Sequence, residues 1–309
     1  MRTAPWSILP VMLTKLGRKK QAGPADSPGG TPQRPTTAPT GAAAEASVVR
    51  TDPREAQQAP AAGEQRVRRP SIGGLGPVLL LRAAHPRQAL LTALGLAIAA
   101  ALSGRPAREV GLVLATVLVG QAIIGWHNDL VDRDRDARHG SEGKPVAQNR
   151  IDPGTVWFSL ACALLLLVPL SLSNGLVAGS SYLIAVAIGL LGNVALRRGL
   201  LSWLPWAASY ALYPAFLSYG GWGGDSFADP FGAPPEISMT VLAGLLGVGV
   251  HVLRALPGLV ADNADGYRSL PLRIALKTGA TKLLIVASVY TVLVLGALMV
   301  VGSSVGLAQ

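Results

Sequence analysis

The sequence predicts an all-α integral membrane protein built as a bundle of seven membrane-spanning helices. Half of the 309 residues are hydrophobic, only 14% are charged, and 36 are glycine. That composition is typical of a membrane bundle and not of a soluble core. The apolar residues are gathered in runs of roughly 18 to 22 residues, the length that a helix needs to cross the hydrocarbon layer. These runs lie near 86–103, 109–127, 154–172, 175–195, 200–219, 237–257 and 280–302.

The segment before the first span, residues 1–84, differs in kind from the membrane domain predicted for residues 85–309. Its stretch AGPADSPGGTPQRPTTAPTGAAAEA, residues 22–46, is rich in Pro, Ala, Gly and Thr and almost lacks large apolar side chains. Such a composition cannot bury enough apolar surface to offset the entropy lost on folding. Residues 1–84 are therefore predicted to form a disordered cytoplasmic tail.

The distribution of basic residues favours an orientation with the N-terminus inside, because short cytoplasmic loops retain Lys and Arg. Twelve of the 27 basic residues precede the first span, and five lie between the second and third spans. The connections between spans three and four and between spans five and six contain none. We therefore expect a multi-pass cell-membrane protein whose two acidic segments, 129–136 and 262–265, both face the cytoplasm.

Charge, cysteine and histidine content limit the function classes. The formal net charge of +10 is largely explained by topology and by attraction to anionic membrane lipid. Basic and aromatic residues are not interleaved, so no nucleic-acid partner is predicted. Cys162 is the single cysteine, which excludes an intramolecular disulfide and a cysteine-bound metal cluster. The four histidines are scattered along the chain, a pattern that does not favour a zinc site.

An acidic run, GWHNDLVDRDRDARH at 125–139, directly follows the uncharged end of the second span. If the helix continues through it at about 100° per residue, Asp129, Asp132 and Asp136 lie within an arc of about 60°. Asn128 flanks this arc, whereas Asp134 lies on roughly the opposite side. Three carboxylates on one face repel one another unless a cation compensates them.

Two interpretations of this run remain open. The aspartates form ion pairs with Arg133, Arg135 and Arg138 at a solvated helix end, or they bind Mg²⁺, which prefers oxygen ligands and completes its shell with water and substrate phosphates. A second apolar helix that ends in acidic residues, HVLRALPGLVADNADGYRSLPLRIA at 251–275, favours a magnesium site. Two acidic helix ends on one membrane side indicate one shared site.

These segments resemble the UbiA superfamily of intramembrane prenyltransferases. The first superfamily motif, N-D-x-x-D-x-x-x-D, is matched in full by Asn128, Asp129, Asp132 and Asp136. Three further stretches resemble superfamily sequence: KPVAQNRIDP at 144–153, NVALRRGLLSWLPWAASYALYPAF at 193–216 and GYRSLPLRIA at 266–275. The resemblance covers about residues 85 to 300 and implies a UbiA-like helical bundle.

The sequence departs from the superfamily pattern in two respects. The second motif is D-x-x-x-D, and its first position falls on Gly258 while its second falls on Asp262. Asp265 is an additional acidic residue that can substitute for the missing carboxylate. The superfamily usually has nine spans where this sequence has seven, which predicts either a truncated chain or a partner or lipid on the open side of the bundle.

The resemblance implies magnesium-dependent transfer of a prenyl group from a polyprenyl diphosphate to an acceptor within the membrane. The expected acceptor is a quinone precursor or another small polar molecule, and membrane lipid is the expected surrounding partner. The implied magnesium ligands are Asp129, Asp132 and Asp136 for one ion, with Asn128 assisting, and Asp262 and Asp265 for the other. The expected catalytic carboxylates are accordingly Asp129, Asp132, Asp136 and Asp262.

The diphosphate and the prenyl chain have their own candidate residues. The residues expected to contact phosphate oxygens through charge-assisted hydrogen bonds are Lys144, Arg150 and Arg197. Cytoplasmic topology alone also accounts for basic residues at these positions. Tyr210 and Tyr213 share a helix face in the fifth span and can line a prenyl tunnel whose ring faces stabilise a carbocation.

Other features of the fifth and sixth spans have structural explanations. His251 in the sixth span is expected to form a hydrogen bond between helices. Pro205, Pro214 and Pro257 are expected to interrupt or bend their helices.

Two other functions stay open at the level of sequence. The first is a terpene cyclase of the same superfamily, in which the prenyl chain attacks itself and no acceptor is needed. The second is a membrane protein without catalytic activity that binds cations or lipid, which the missing carboxylate at Gly258 and the missing spans favour.

Overall fold

The computed structural model describes residues 75–141, 143–221 and 234–304, and every regular element within these ranges is helical. The predicted all-α membrane fold is confirmed. In chain order the α-helices are α1 Gly76–Ala83, α2 Pro86–Leu102, α3 Ala107–Val131, α4 Arg133–Arg138, α5 Pro153–Leu172, α6 Leu176–Val194, α7 Leu204–Ala211, α8 Tyr213–Ser218, α9 Ile237–Ala255, α10 Leu259–Ala264, α11 Leu270–Thr278 and α12 Ala280–Ser304. Leu200–Trp203 and Leu256–Gly258 are short 3₁₀ helices.

Each of the seven predicted spans corresponds to an apolar helical segment, but the segments differ in length. Five are long and apolar enough to cross a membrane by themselves: Ala107–Val131, Pro153–Leu172, Leu176–Val194, Ile237–Ala264 and Ala280–Ser304. Pro86–Leu102 is apolar but shorter, and the fifth predicted span is divided into α7 and α8 at Leu212.

Prolines mark the interruptions, as predicted. Pro205 and Pro214 lie in the first turns of α7 and α8, where the missing backbone N–H removes no helical hydrogen bond. Pro257 lies in the 3₁₀ turn between α9 and α10. That turn redirects the chain just before the second acidic segment.

The helices pack around α3 and α9. Helix α3 lies against α2, α5 and α6, whereas α9 lies against α7 and α12, and α6 joins the two groups through α7 and α8. Glycines allow the closest approaches. A methyl group at Gly247 of α9 would overlap the Trp206 carbonyl oxygen, and one at Gly120 of α3 would overlap the Tyr182 hydroxyl. Small residues serve this purpose in membrane bundles, because helix association there depends on close packing.

Large apolar side chains remain exposed on the outside of the bundle. At least 66% of the surface is exposed at Leu165, Phe158, Leu293 and Val300. A surface of this kind is expected for helices that face lipid, because lipid tails are as apolar as the side chains themselves.

Helix α1 lies within the segment 1–84 that the sequence predicts to be disordered, so regular structure begins before the predicted boundary at residue 84. Leu79 and Ala83 of α1 pack with Val146, Ile151 and Val156. These contacts hold α1 against the connection between α4 and α5, which carries Lys144. Residues 1–74 of the predicted tail lie outside the described residues.

Candidate active site

The first acidic segment lies where α3 ends and α4 begins. Asp132 lies between α3 and α4, with φ −91° and ψ 0°. Asp129 and Asp132 are buried, at 2% and 7% exposure, and Asp136 is half-buried, whereas Asp134 is exposed. The side chains predicted to share a face thus point into the protein, and the one predicted to lie opposite points out.

Asp129 is the most deeply buried of these carboxylates. It forms an ion pair with Lys144, and its Oδ1 lies 2.9 Å from His85 Nε2. Its other oxygen, Oδ2, is buried and has no hydrogen-bond partner among the described residues. A buried carboxylate oxygen without a partner is costly, so this oxygen is available to a ligand.

Asp132 and Asp136 each face basic or polar groups. Asp132 forms an ion pair with Arg197 and accepts a hydrogen bond from Asn128 Nδ2 at 3.0 Å. Asp136 lies 3.6 Å from Lys144 Nζ and accepts a hydrogen bond from the Ser141 hydroxyl. Lys144 therefore lies between two aspartates of the motif.

The second acidic segment meets the first through Arg135. Its guanidinium donates to Asp262 Oδ1 at 2.5 Å and to Asp265 Oδ2 at 2.6 Å, and His139 Nε2 lies 3.0 Å from Asp265. Hydrogen bonds from Arg135 and His139 lower the pKa of Asp265 to about 2. Residues more than 120 positions apart in sequence thus form one charged cluster.

Tyr267 lies at the centre of the basic side chains of this cluster. The Arg135 guanidinium lies 4.8 Å from its ring centroid and that of Arg198 lies 5.2 Å away, distances at which cation–π attraction acts. Arg197 donates a hydrogen bond to the Tyr267 hydroxyl at 3.0 Å. Gly266 precedes it with φ +72°, a conformation that favours glycine, and turns the chain so that Tyr267 faces the cluster.

The sequence reasoning missed three of these residues. His85 precedes the first span, Tyr267 stands within the resembling stretch 266–275, and the sequence predicts Arg135 only as a partner for the aspartates of its own segment. Arg135 instead pairs with Asp262 and Asp265. Arg135 directly precedes Asp136 in the sequence. Because neighbouring residues of a helix point in different directions, this position indicates that Arg135 does not pair with Asp136.

The predicted phosphate-binding residues are not equivalent. Lys144 and Arg197 are half-buried against the motif carboxylates. Arg150 is exposed in the connection before α5.

Tyr210 and Tyr213 line a cavity between α3, α6, α7 and α9, together with Gln121, Asn193 and Arg254. The two tyrosine rings lie 4.9 Å apart, and Gln121 lies 3.4 Å from the Tyr213 hydroxyl. Asn193 connects the cavity to the charged cluster, since Arg197 donates a hydrogen bond to its carbonyl oxygen. The aromatic surface thus lies next to the carboxylates, toward the interior of the bundle.

His251 belongs neither to the charged cluster nor to the lining of the cavity. It lies 3.0 Å from the Ser202 hydroxyl, which connects α9 to the 3₁₀ turn before α7. The predicted hydrogen bond between helical segments is therefore present.

The carboxylates do not form a ready cage for a metal ion. Within residues 75–141, 143–221 and 234–304, no three His, Cys, Asp or Glu side chains are grouped closely enough to hold one. Each motif aspartate instead faces a basic or polar side chain. The position of the missing second-motif carboxylate, Gly258, has open space, because a methyl group added there meets no atom within 4 Å.

The fold and the site define an intramembrane helical protein in which two acidic helix ends meet beside an aromatic cavity. The family model described as the UbiA prenyltransferase family matches residues 89–308. The chain belongs to this family.

Solved structures show the same fold. A UbiA homolog from Archaeoglobus fulgidus bound to GPP and Mg²⁺ is 20% identical, with a TM-score of 0.56 over 72% of this chain and 78% of that chain. The same homolog bound to DMAPP and Mg²⁺ gives 20% identity and a TM-score of 0.55 over the same shares of the two chains. Among curated proteins the sequence has no significant match.

Proposed function

We propose that this protein catalyses magnesium-dependent transfer of a prenyl group from a prenyl diphosphate to an acceptor within the membrane. The observation that carries the proposal is the joining of two acidic helix ends by Arg135 next to the cavity lined by Tyr210 and Tyr213. Membership of the prenyltransferase family supports it, as do the archaeal homolog structures with GPP or DMAPP and Mg²⁺.

The residues present suit magnesium by their chemistry. Mg²⁺ prefers oxygen donors and is usually held by one or two carboxylates together with substrate phosphates, so a complete protein cage is not required. The unpartnered Asp129 Oδ2 is one such donor. We infer that Asp129, Asp132 and Asp136, assisted by Asn128, hold one ion and that Asp262 and Asp265 hold a second. The bound metal neutralises charge that develops on the leaving diphosphate.

The basic side chains stabilise the same charge. Lys144 and Arg197 are close to the carboxylates and donate charge-assisted hydrogen bonds to phosphate oxygens, and Arg150 is proposed to do so from the edge of the site. When the allylic C–O bond breaks, its electron pair leaves with the diphosphate. The acceptor then forms the new bond to the allylic carbon and loses a proton.

The prenyl group is proposed to lie along the aromatic wall of this cavity. The faces of Tyr210 and Tyr213 present negative π surface to a cation, and the surrounding helices keep water away from it. Water would otherwise capture the allylic cation as an alcohol.

The test is incubation of the purified protein with labelled prenyl diphosphates of several chain lengths, in the presence of Mg²⁺ or of a chelator. We expect release of diphosphate that depends on Mg²⁺. If the folded protein releases no diphosphate with any chain length, the proposal is wrong. That result would favour a membrane protein that binds cations or lipid without catalysis. Acceptor-free incubations separate the alternatives, because hydrocarbon products would identify a terpene cyclase.

We also infer that the N-terminus and both acidic segments face the cytoplasm, on the basis of the basic residues near them and the retention of such residues inside. Because Cys162 is the single cysteine, a Cys162→Ser background allows new cysteines to be labelled. In intact cells we expect an impermeant maleimide to label Glu236→Cys and to leave Ala137→Cys unlabelled until the cells are opened, since both positions are exposed. The reverse pattern contradicts this orientation.

The second motif gives a further prediction at Gly258. Gly258 has space for a side chain and an ordinary φ of −91°, and it lies four residues before Asp262, on the same helical side. We expect Gly258→Asp to tighten the apparent magnesium affinity about tenfold, equivalent to 1.4 kcal/mol, while turnover continues. The measurement is diphosphate release against Mg²⁺ concentration, with Gly258→Asn as the uncharged control. Equal affinities for the two variants would show that a carboxylate at this position does not reach the metal.

A further inference from the structure

A basic groove on the surface of α11 is not used by the proposed reaction. It is lined by Arg268, Arg273, Leu276 and Lys277 and has a volume of about 380 Å³. All four residues are exposed. Within the part of the chain that the structure describes, none of the three cations forms an ion pair with a carboxylate. Their positive charges are therefore available to an anion from outside the chain.

The local fold brings these cations together. Arg268 precedes α11, and its backbone N–H donates to the Arg198 carbonyl oxygen at 2.7 Å, which holds this end of the segment against the bundle. Arg273 Nε donates to the Arg268 carbonyl oxygen at 3.2 Å. Lys277 follows Arg273 by one helical turn and lies on the same side of α11. The other side of α11 is buried, so this helix is amphipathic with a basic exposed side.

The groove lies next to the point where the chain enters the membrane. Gly279, with φ +90°, is the single residue between α11 and α12, and α12 is long and apolar enough to cross a membrane. Lys282 is exposed in the first turn of α12, and the exposed residues Ile285 and Val289 follow it on the same side of that helix. A ligand with a polar head at the basic residues can therefore place an apolar chain along α12.

We propose that this groove binds the anionic headgroup of a membrane phospholipid. Arg and Lys donate charge-assisted hydrogen bonds to phosphate oxygens, and basic residues beside a membrane-spanning helix attract anionic lipid. Leu276 is 48% exposed among the cations, which suits a ligand that joins a phosphate to an apolar chain. The proposal does not depend on prenyl transfer, because the groove contains none of the residues assigned to Mg²⁺ or to the prenyl diphosphate.

The test compares lipid binding, in a neutral detergent, to the full-length protein and to a double variant, Arg273→Gln with Lys277→Gln. The probes are the anionic lipid dioleoylphosphatidylglycerol, the zwitterionic dioleoylphosphatidylcholine, inorganic phosphate and geranyl diphosphate. Binding is measured by native mass spectrometry and by the shift in unfolding temperature. We expect the double variant to weaken binding of phosphatidylglycerol at least about tenfold and to leave that of phosphatidylcholine unchanged. Arg273→Lys with Lys277→Arg, which keeps both charges, should retain most of the affinity.

The matched control is Arg82→Gln with Arg87→Gln, which removes two charges from exposed residues of α1 and α2 and should keep the affinity for phosphatidylglycerol. Equal loss in the two double variants overturns the proposal, because it would show only a general attraction between charges. Unchanged lipid binding in a folded Arg273→Gln and Lys277→Gln protein also overturns it. Binding at these residues of inorganic phosphate or geranyl diphosphate, but not of phosphatidylglycerol, rejects the phospholipid and identifies the soluble phosphate or the prenyl donor as the ligand.

Discussion

Replacing Asp129 with asparagine is expected to lower the rate of diphosphate release at least ~100-fold, equivalent to about 2.7 kcal/mol of barrier. Asp129 is 2% exposed and has one oxygen free for a ligand. The substitution removes the charge that compensates Lys144 as well as a proposed magnesium ligand. The measurement is the initial rate at saturating and at limiting Mg²⁺.

Asp134 provides the matched control within the same acidic run, because it is exposed. Asp134→Asn should retain nearly the full rate, and Asp132→Asn and Asp136→Asn should resemble Asp129→Asn. If Asp134→Asn lost as much activity as Asp132→Asn, the assignment of metal ligands by helix face would be wrong.

Replacing Arg135 with methionine is expected to have the second-largest effect, a loss of about tenfold to 100-fold in rate together with a lower unfolding temperature. Arg135 holds Asp262 and Asp265 through two charge-assisted hydrogen bonds. Removing one partner of a buried ion pair leaves uncompensated charge, although these side chains are 14% to 18% exposed and water reduces the penalty. Rates and thermal unfolding of the purified protein are the measurements.

Arg138→Met is the control for Arg135→Met, because Arg138 is an exposed arginine of the same short helix. Arg135→Lys should recover only part of the loss, since a lysine ammonium cannot match the fork of a guanidinium that reaches two carboxylates. Equal behaviour of Arg135→Met and Arg138→Met would show that the bridge between the acidic segments does not contribute to function.

The bundle and the first acidic face could be predicted from the sequence because both depend on local periodicity. Long apolar runs require helices in a membrane, where backbone groups must be satisfied within the segment. The spacing of Asp129, Asp132 and Asp136 sets one helix face, and the structure buries or half-buries these residues while Asp134 is exposed. Pro214 and Pro257 likewise marked interruptions, because a missing N–H is a local property.

Only the tertiary structure decided which charged groups meet. Arg135 contacts Asp262 across 127 positions of sequence, and His85 reaches Asp129 across 44, contacts that helical periodicity cannot specify. The structure also extended helical order back to Gly76, since α1 is held by apolar contacts with a distant connection. Only the packing of α7 against α9 placed the Arg254 guanidinium over Trp206, in a cavity whose lining residues include no carboxylate.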